Sequence, residues 1–101
     1  MRKFLAVILL CLGARYALAG GATEGQKIVQ KECSRCHAIG KTGKSPNPLS
    51  PPFREVVKRY PPDSLVEALG EGIITGHNEM PEFIFEPEDI MKIVAYLNTL
   101  K

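Results

Sequence analysis

We predict an all-α domain of about four short helices. Apolar side chains recur at helical intervals in several segments, and no segment of useful length alternates apolar and polar residues as a half-buried strand does. Residues 38–52 are rich in Gly, Lys, Ser, Asn and Pro, which favours a loop, and residues 73–86 form a second predicted loop. A length of 101 residues is typical of a single domain. The two predicted loops are long enough to wrap around a bound group.

Residues 1–19 have the features of a secretory signal peptide that is removed from the mature protein. Two basic residues precede an apolar run over residues 4–12, and Ala17-Leu18-Ala19 supplies a small-x-small cleavage signal. The apolar run is shorter than the roughly 20 residues that cross a bilayer core, which disfavours the alternative of an uncleaved membrane anchor. We therefore expect residues 20–101 to form an exported domain with no stable membrane span.

The mature domain is predicted to be almost neutral. The full sequence has a net charge of +2, and removal of residues 1–19 takes three basic residues with it and leaves about −1. No basic stripe with interleaved aromatic residues remains, which argues against nucleic-acid binding. Basic residues dominate residues 20–60 and acidic residues dominate residues 61–101. This segregation gives either a dipole that orients the domain toward a partner or simply solvated faces.

The first two helices are predicted from caps and apolar spacing. A T-x-x-Q capping box at residues 23–26 predicts a helix from about Glu24 to the two cysteines. Ser50 is positioned to cap a second helix that has Pro51 at its first position and ends before Pro61. The inward residues of this second helix are predicted to be Phe53, Val56 and Val57.

The last two helices have clearer ends. A second capping box at residues 64–67, followed by apolar residues, predicts a third helix that Gly70 and Gly72 end. Pro87 begins the fourth helix, whose first turn places acidic residues at the positive end of the helix dipole. One face of this helix is apolar and is expected to face the core: Ile90, Ile93, Val94, Leu97 and Leu100.

The strongest chemical signal is the segment Cys33-Ser34-Arg35-Cys36-His37 at the end of the first predicted helix. C-x-x-C-H is the pattern of c-type haem attachment. Two cysteines three residues apart lie on one side of a helical turn, so both sulfurs can form thioether bonds with the vinyl groups at one haem edge. His37 can then be brought beneath the iron as an axial ligand. We therefore predict one haem c per chain, held by Cys33, Cys36 and His37.

Three other uses of this motif compete with haem attachment: a structural disulfide, a thiol redox pair and part of a zinc site. Cys11 lies in the predicted signal peptide, so the mature domain lacks the cysteines for a four-cysteine zinc site. A Cys2His2 set completed by His77 has the spacing of no common zinc finger. A thiol redox enzyme usually has this motif beside a βαβ pattern, which the sequence lacks. Haem attachment is therefore the favoured interpretation.

With these residues in place, the chain resembles the small bacterial class I cytochromes c over nearly all of residues 23–101. Gly25, eight residues before the first cysteine, matches the glycine that lets the last helix of this family cross close to the first, and Tyr96 matches the aromatic residue that packs there. Met80-Pro81 matches the methionine that lies in a loop before the last helix. The resemblance implies a cytochrome c fold wrapped around one covalently attached haem, with His37 and Met80 as axial ligands.

Met80 is favoured over two rivals as the second ligand. It lies in a predicted loop, and Pro81 holds it toward extended backbone, which can direct its thioether to the iron from the side opposite His37. Met91 lies within the last predicted helix, where packing is its natural role. His77 is expected to form a hydrogen bond within the loop and to bind iron only if Met80 is lost.

The resemblance also implies residues that support the haem. A proline carbonyl often accepts a hydrogen bond from the proximal histidine in this family; Pro46 and Pro48 are the candidates, and Pro46-Asn47 is the closer match. Arg54 and Tyr60 either bind haem propionates or are simply surface residues. The apolar wall beside the haem is predicted from Leu49, Phe53 and Ile74.

Together these features predict a periplasmic single-electron carrier rather than an enzyme. The iron is expected to cycle between ferric and ferrous with His37 and Met80 bound throughout. We expect a monomer whose partners are other redox proteins, namely an oxidase, a reductase or a dehydrogenase. The alternatives are an electron-accepting cytochrome subunit of a periplasmic dehydrogenase complex and a haem enzyme or gas sensor with an open sixth position, against which Met80-Pro81 argues.

Overall fold

The computed structural model describes residues 13–72 and 83–101, with the backbone alone described for residues 13–20. Within these ranges the chain forms four α-helices and one short 3-10 helix, and it contains no strand. The predicted all-α class is confirmed. No helix in this part of the chain combines the length and apolarity that a membrane span requires. The helices are α1 (Gly13–Cys33), α2 (Phe53–Arg59), the 3-10 helix (Pro62–Leu65), α3 (Val66–Glu71) and α4 (Pro87–Asn98).

The core is centred on the packing of α1 against α4. Val29 of α1 is almost completely buried, and Val57 of α2 and Leu69 of α3 join the same apolar cluster. Because burial of apolar surface is the main favourable term in folding, α4 is the element that holds the other helices together. The apolar face predicted for α4 is confirmed: Ile90, Ile93, Val94 and Leu97 are buried, and Leu100 packs against them.

The two long helices cross at Gly25. A Cβ atom on Gly25 would overlap the carbonyl oxygen of Lys92 and would come within 2.9 Å of the Cβ atom of Tyr96. Tyr96 is itself buried beside this crossing, and its hydroxyl donates a hydrogen bond of 2.6 Å to the carbonyl oxygen of Ile39. The expectations that Gly25 permits a close crossing and that Tyr96 packs there are confirmed.

The starts of α1 and α2 differ from the prediction. α1 begins at Gly13, upstream of the capping box, because the alanine-rich residues before Thr23 are good helix formers and continue the helix. α2 begins at Phe53 because Pro52 disfavours helical backbone at the residue before it. Pro52 itself is extended, with ψ at 144°, so the predicted start at Pro51 is wrong.

The end of α3 and the start of α4 follow the sequence more closely than the start of α3. The Ser64 hydroxyl donates a hydrogen bond of 2.6 Å to the carbonyl oxygen of Pro61, so it does not cap α3, which begins after Leu65. Gly72 ends α3 with φ at 101°, a backbone conformation that favours glycine, as predicted. α4 begins at Pro87 as predicted, with Glu86 as its N-cap residue.

Candidate functional site

The C-x-x-C-H segment forms the end of α1. Cys33 is the last residue of the helix, and the backbone N–H groups of Cys36 and His37 both donate to its carbonyl oxygen, at 3.2 and 3.0 Å. These bonds close a turn that brings Cys36 back beside Cys33. Both cysteines are half-buried free thiols. Both sulfurs are therefore available for the thioether bonds that the spacing predicts.

The environment of Cys33 disfavours a thiol redox pair. Burial raises the pKa of the Cys33 thiol to about 12, and the negative charge of Glu32 adds to this increase. Thiol redox enzymes depend on a thiolate whose pKa is lowered by nearby positive charge or a helix N-terminus. Cys33 lies instead at the C-terminal end of α1 and stays protonated near neutral pH.

The ring of His37 is buried and held in one orientation by two neighbours. Its Nδ1 lies 2.7 Å from the carbonyl oxygen of Pro51, and its centre lies 4.9 Å from the centre of the Phe53 ring, with 39° between the ring planes. A carbonyl oxygen can only accept, so Nδ1 carries the proton. Nε2 then carries the lone pair with which a neutral imidazole binds a metal ion.

The prediction that the carbonyl oxygen of Pro46 or Pro48 accepts the hydrogen bond from His37 is wrong. The loop folds back before these residues reach the His37 ring. The backbone N–H of Asn47 donates to the carbonyl oxygen of Cys36 at 3.1 Å, which leaves Pro46 and Pro48 exposed on either side of this bond. The chain meets the ring at Pro51 instead. The signal that identifies Pro51 is the Pro-Pro pair, which forces extended backbone directly before α2.

Two further hydrogen bonds attach this loop to the residue after His37. The N–H group of Ala38 donates to the Ser45 hydroxyl at 3.0 Å, and the carbonyl oxygen of Ala38 accepts the N–H group of Phe53 at 2.9 Å. Phe53 is thereby anchored beside the ring that it packs against. The prediction that Phe53 belongs to the apolar wall is consistent with this contact, whereas Leu49 is 72% exposed.

Arg54 and Tyr60, the two candidates for propionate binding, lie in different surroundings. The terminal Nη1 atom of Arg54 is buried and has no hydrogen-bond partner among the described residues. Tyr60 is 56% exposed, as expected of a surface residue. Three other predicted site residues lie outside the described residues: Ile74, His77 and Met80.

The residues present fit a covalently attached haem. Two free thiols can bond to the vinyl groups, and the imidazole oriented through Nδ1 can bind the iron. The half-buried Arg54, whose Nη1 atom has no acceptor among the described residues, is a cation that suits the carboxylates of that group. A model of the family described as cytochrome C oxidase, cbb3-type, subunit III matches residues 20–97, which is most of the chain. No curated protein and no solved structure matches the sequence.

Proposed function

Because this chain belongs to the family described as cytochrome C oxidase, cbb3-type, subunit III, we propose that it is an exported protein that carries single electrons on one haem c. The family implies covalently bound haem c with its iron and supports electron transfer as the broad activity. The observation that carries the proposal is the buried His37 ring, oriented by the Pro51 carbonyl directly after two free thiols. When bound, haem c supplies the one-electron change between ferric and ferrous iron.

Different residues around the motif are proposed to attach the haem, to bind its iron and to orient the iron ligand. Cys33 and Cys36 are the proposed covalent attachment points, and His37 offers Nε2 as an axial ligand. The Pro51 carbonyl fixes the tautomer of His37 and increases the basicity of its ring. Phe53 restricts rotation of that ring. Since these contacts do not depend on the oxidation state, His37 needs little rearrangement when an electron arrives or leaves.

Met80 is the proposed second axial ligand. On both sides of the segment that contains Met80, the chain is bonded to α3. The N–H group of Gly72 donates to the carbonyl oxygen of Ala68, and that of Phe85 donates to the carbonyl oxygen of Leu69, each at 3.0 Å. A thioether is a soft ligand that favours ferrous iron and raises the reduction potential. A stable second ligand also argues against an enzyme or gas sensor, which needs an open position.

The substitution Met80→Ala tests the ligand set, and Met91→Ala is its matched control because Met91 is 63% exposed on α4. We expect the wild-type protein to be low-spin and six-coordinate and to show a sulfur-to-iron charge-transfer band in the ferric state. Met80→Ala should lose this band and Met91→Ala should keep it. Adding His77→Ala to Met80→Ala shows whether His77 replaces the lost ligand.

Two outcomes would contradict this proposal. A charge-transfer band that persists in Met80→Ala excludes Met80 as the ligand. Rapid binding of carbon monoxide by the untreated ferrous wild-type protein would show an accessible sixth position and favour the haem enzyme or gas sensor.

Export and processing form a separate part of the proposal. Residues 1–19 are proposed to be removed, so that the protein acts in the periplasm with Gly20 at its N-terminus. Mass spectrometry of the periplasmic protein tests this position directly. Ala19→Arg should leave the precursor uncleaved, whereas Ala17→Gly keeps a small residue and should be processed normally. A purified haem protein that retains residues 1–19 contradicts this step.

The proposed partner is a terminal oxidase, because the family description names an oxidase subunit. We propose that the chain is a diffusing shuttle to this oxidase, with a permanent subunit of the oxidase, as the family description names it, as the alternative. The ferrous protein should be oxidised by membranes that contain the oxidase and not by membranes from a strain that lacks it. Isolation of the chain in a stable complex with the oxidase or with a dehydrogenase would contradict the shuttle.

A further inference from the structure

We propose that the terminal oxidase docks on a surface formed by α3, α4 and the residues that lead into α4, an inference that rests on the proposed function. The α3–α4 surface is defined by three exposed apolar side chains, Val66, Ile84 and Met91. The other large apolar side chains that the described residues expose, Leu49 and Tyr60, lie elsewhere in the chain. A group of exposed apolar side chains on one part of a fold is typical of a surface that binds another protein.

The residues that lead into α4 turn Ile84 outward. The rings of Phe83 and Phe85 stack with their centres 5.7 Å apart and with 19° between the ring planes. Two side chains that lie two residues apart on one side of an extended chain leave the residue between them on the other side. Phe85 packs against the core, and its N–H group donates to the carbonyl oxygen of Leu69 in α3 at 3.0 Å. Ile84 therefore faces solvent, where it is 71% exposed, from a segment that is fixed to α3.

Val66 and Met91 border the contact between α3 and α4. A Cβ atom on Gly70 would lie 3.3 Å from the Cδ1 atom of Ile90, so this face of α3 lies against α4. Val66 is one turn before Gly70 on the same face of α3, and Met91 directly follows Ile90 in α4. Both side chains nevertheless stay exposed, because the contact between the two helices does not cover them. A methionine is well suited to such a surface, since its flexible thioether adapts to the shape of a partner.

The rim of the α3–α4 surface is acidic. Four exposed carboxylates on α3 and at the start of α4 have no ion-pair partner among the described residues: Glu67, Glu71, Glu86 and Glu88. The basic residue of this part of α4, Lys92, pairs with Asp89 at 3.9 Å. A second copy of the chain or an anionic membrane would be repelled here, because each would bring further negative charge to the rim. The surface therefore fits a protein whose own apolar patch is bordered by lysine or arginine.

The α3–α4 surface is close in the chain to the proposed second axial ligand. Ile84 follows Met80 by four residues, and four residues of chain span at most about 14 Å. A protein that covers Ile84 is therefore within a short distance of the iron, as electron transfer between two proteins requires. This proximity makes the oxidase, which accepts the electron in the proposed function, the partner that the surface serves.

The test measures the oxidation of the haem-loaded ferrous protein by membranes that contain the oxidase. Ile84→Ser combined with Met91→Gln should raise KM about tenfold and leave kcat unchanged, because the change weakens docking and not the electron-transfer step. Leu49→Ser is the matched control, because Leu49 is as exposed as Ile84 but lies in the loop before α2, and it should leave KM unchanged. Every variant should keep the wild-type spectrum and reduction potential, which a disturbed fold around the haem would change.

A second set of variants tests the sign of the charge at the rim. Glu71→Gln combined with Glu86→Gln should raise KM several-fold at low salt and make KM depend less on salt, since an attraction to basic residues is lost. Lys41→Gln combined with Lys44→Gln removes charges of the opposite sign from the loop after His37. This variant should not raise KM for the oxidase.

Two results overturn the inference. The first is an unchanged KM in the variant that lacks Ile84 and Met91. The second is a KM that rises in the lysine variant and not in the glutamate variant, because the oxidase then docks on the basic loop after His37.

The proposed function has separate criteria: it fails if the wild-type spectrum is not low-spin and six-coordinate, or if the oxidase membranes do not oxidise the wild-type protein. A helical peptide of leucine and lysine, whose binding is followed by NMR, then decides whether the α3–α4 surface binds a basic apolar partner. The peptide should shift the signals of this surface and should bind about tenfold more weakly to the Ile84→Ser and Met91→Gln double variant. Equal binding to both proteins, or no binding to either, overturns the inference.

Discussion

Gly25 of α1 lies against the backbone of Lys92 in α4, with no room for a side chain between them. Gly25→Ala should therefore push the two helices apart, because the Lys92 carbonyl oxygen is backbone and cannot turn aside. We expect the free energy of unfolding in urea, followed by circular dichroism, to fall by about 3 kcal/mol, as in other overpacked cores.

The control for this change is Gly21→Ala, because Gly21 lies on the same helix with nothing within 4 Å of an added Cβ atom. Gly21 is the second residue of the proposed mature chain, where the helix frays, so this variant should change the free energy of unfolding by less than about 1 kcal/mol. Equal effects of the two substitutions would show that helix propensity, and not the crossing at Lys92, decides the role of Gly25.

Tyr96→Phe removes the hydrogen bond from α4 to the loop after the attachment motif. The Ile39 carbonyl oxygen loses its 2.6 Å partner, while the apolar packing of the ring is kept. We expect a loss of about 1 to 2 kcal/mol in the free energy of unfolding near neutral pH. Tyr60→Phe, at an exposed position, should have almost no effect. A similar loss in both variants would contradict a specific role for the bond to Ile39.

The same side chain should make stability depend on pH in alkaline solution. Burial raises the pKa of Tyr96 above its ordinary value of 10. Above about pH 10 the unfolded chain releases the phenol proton and the folded chain retains it, so stability is lost as the pH rises. Urea titrations between about pH 9 and 11 should show a steeper fall for wild type and Tyr60→Phe than for Tyr96→Phe. Parallel curves for all three proteins would contradict this linkage.

Local sequence patterns predicted the elements whose limits depend on adjacent residues. Pro87 starts α4 because proline favours the first helical turn, and Gly72 ends α3 because it adopts positive φ. The attachment motif closes α1 through bonds to the carbonyl oxygen of Cys33. In each case the interaction that sets the helix limit is between residues a few positions apart, so a sequence pattern is sufficient to predict that limit.

Features that depend on competing or distant partners were predicted less well. Ser64 is predicted to cap α3, but its hydroxyl donates instead to the carbonyl oxygen of Pro61. The acceptor for His37 depends on how the whole loop returns to the ring, and spacing along the chain does not specify that path. The difference between Arg54 and Tyr60 is likewise a matter of burial in the folded chain. The ligand role of Met80 stays a prediction.

Exposed basic residues lie within and on both sides of the attachment motif along the chain, and they should steer charged redox reagents. At low salt, oxidation of the ferrous protein by hexacyanoferrate(III), an anion, should be fast and should slow as salt is added, since the Debye length shrinks to about 10 Å at 0.1 M. Stopped-flow absorbance measures this rate. A cationic cobalt(III) complex should show the opposite salt dependence. The basic residues are Lys31, Arg35, Lys41 and Lys44.

Lys41→Gln combined with Lys44→Gln shows whether local charge or net charge governs these rates. The two lysines lie in the loop after His37. Their removal should therefore slow oxidation by hexacyanoferrate(III) several-fold at low ionic strength and make the oxidation rate depend less on salt. Lys101→Gln removes an exposed charge at the C-terminus and should leave both unchanged. If Lys101→Gln has as large an effect per charge as the Lys41 and Lys44 pair, the reagent responds to the net charge of the domain and not to the cations beside the haem attachment site.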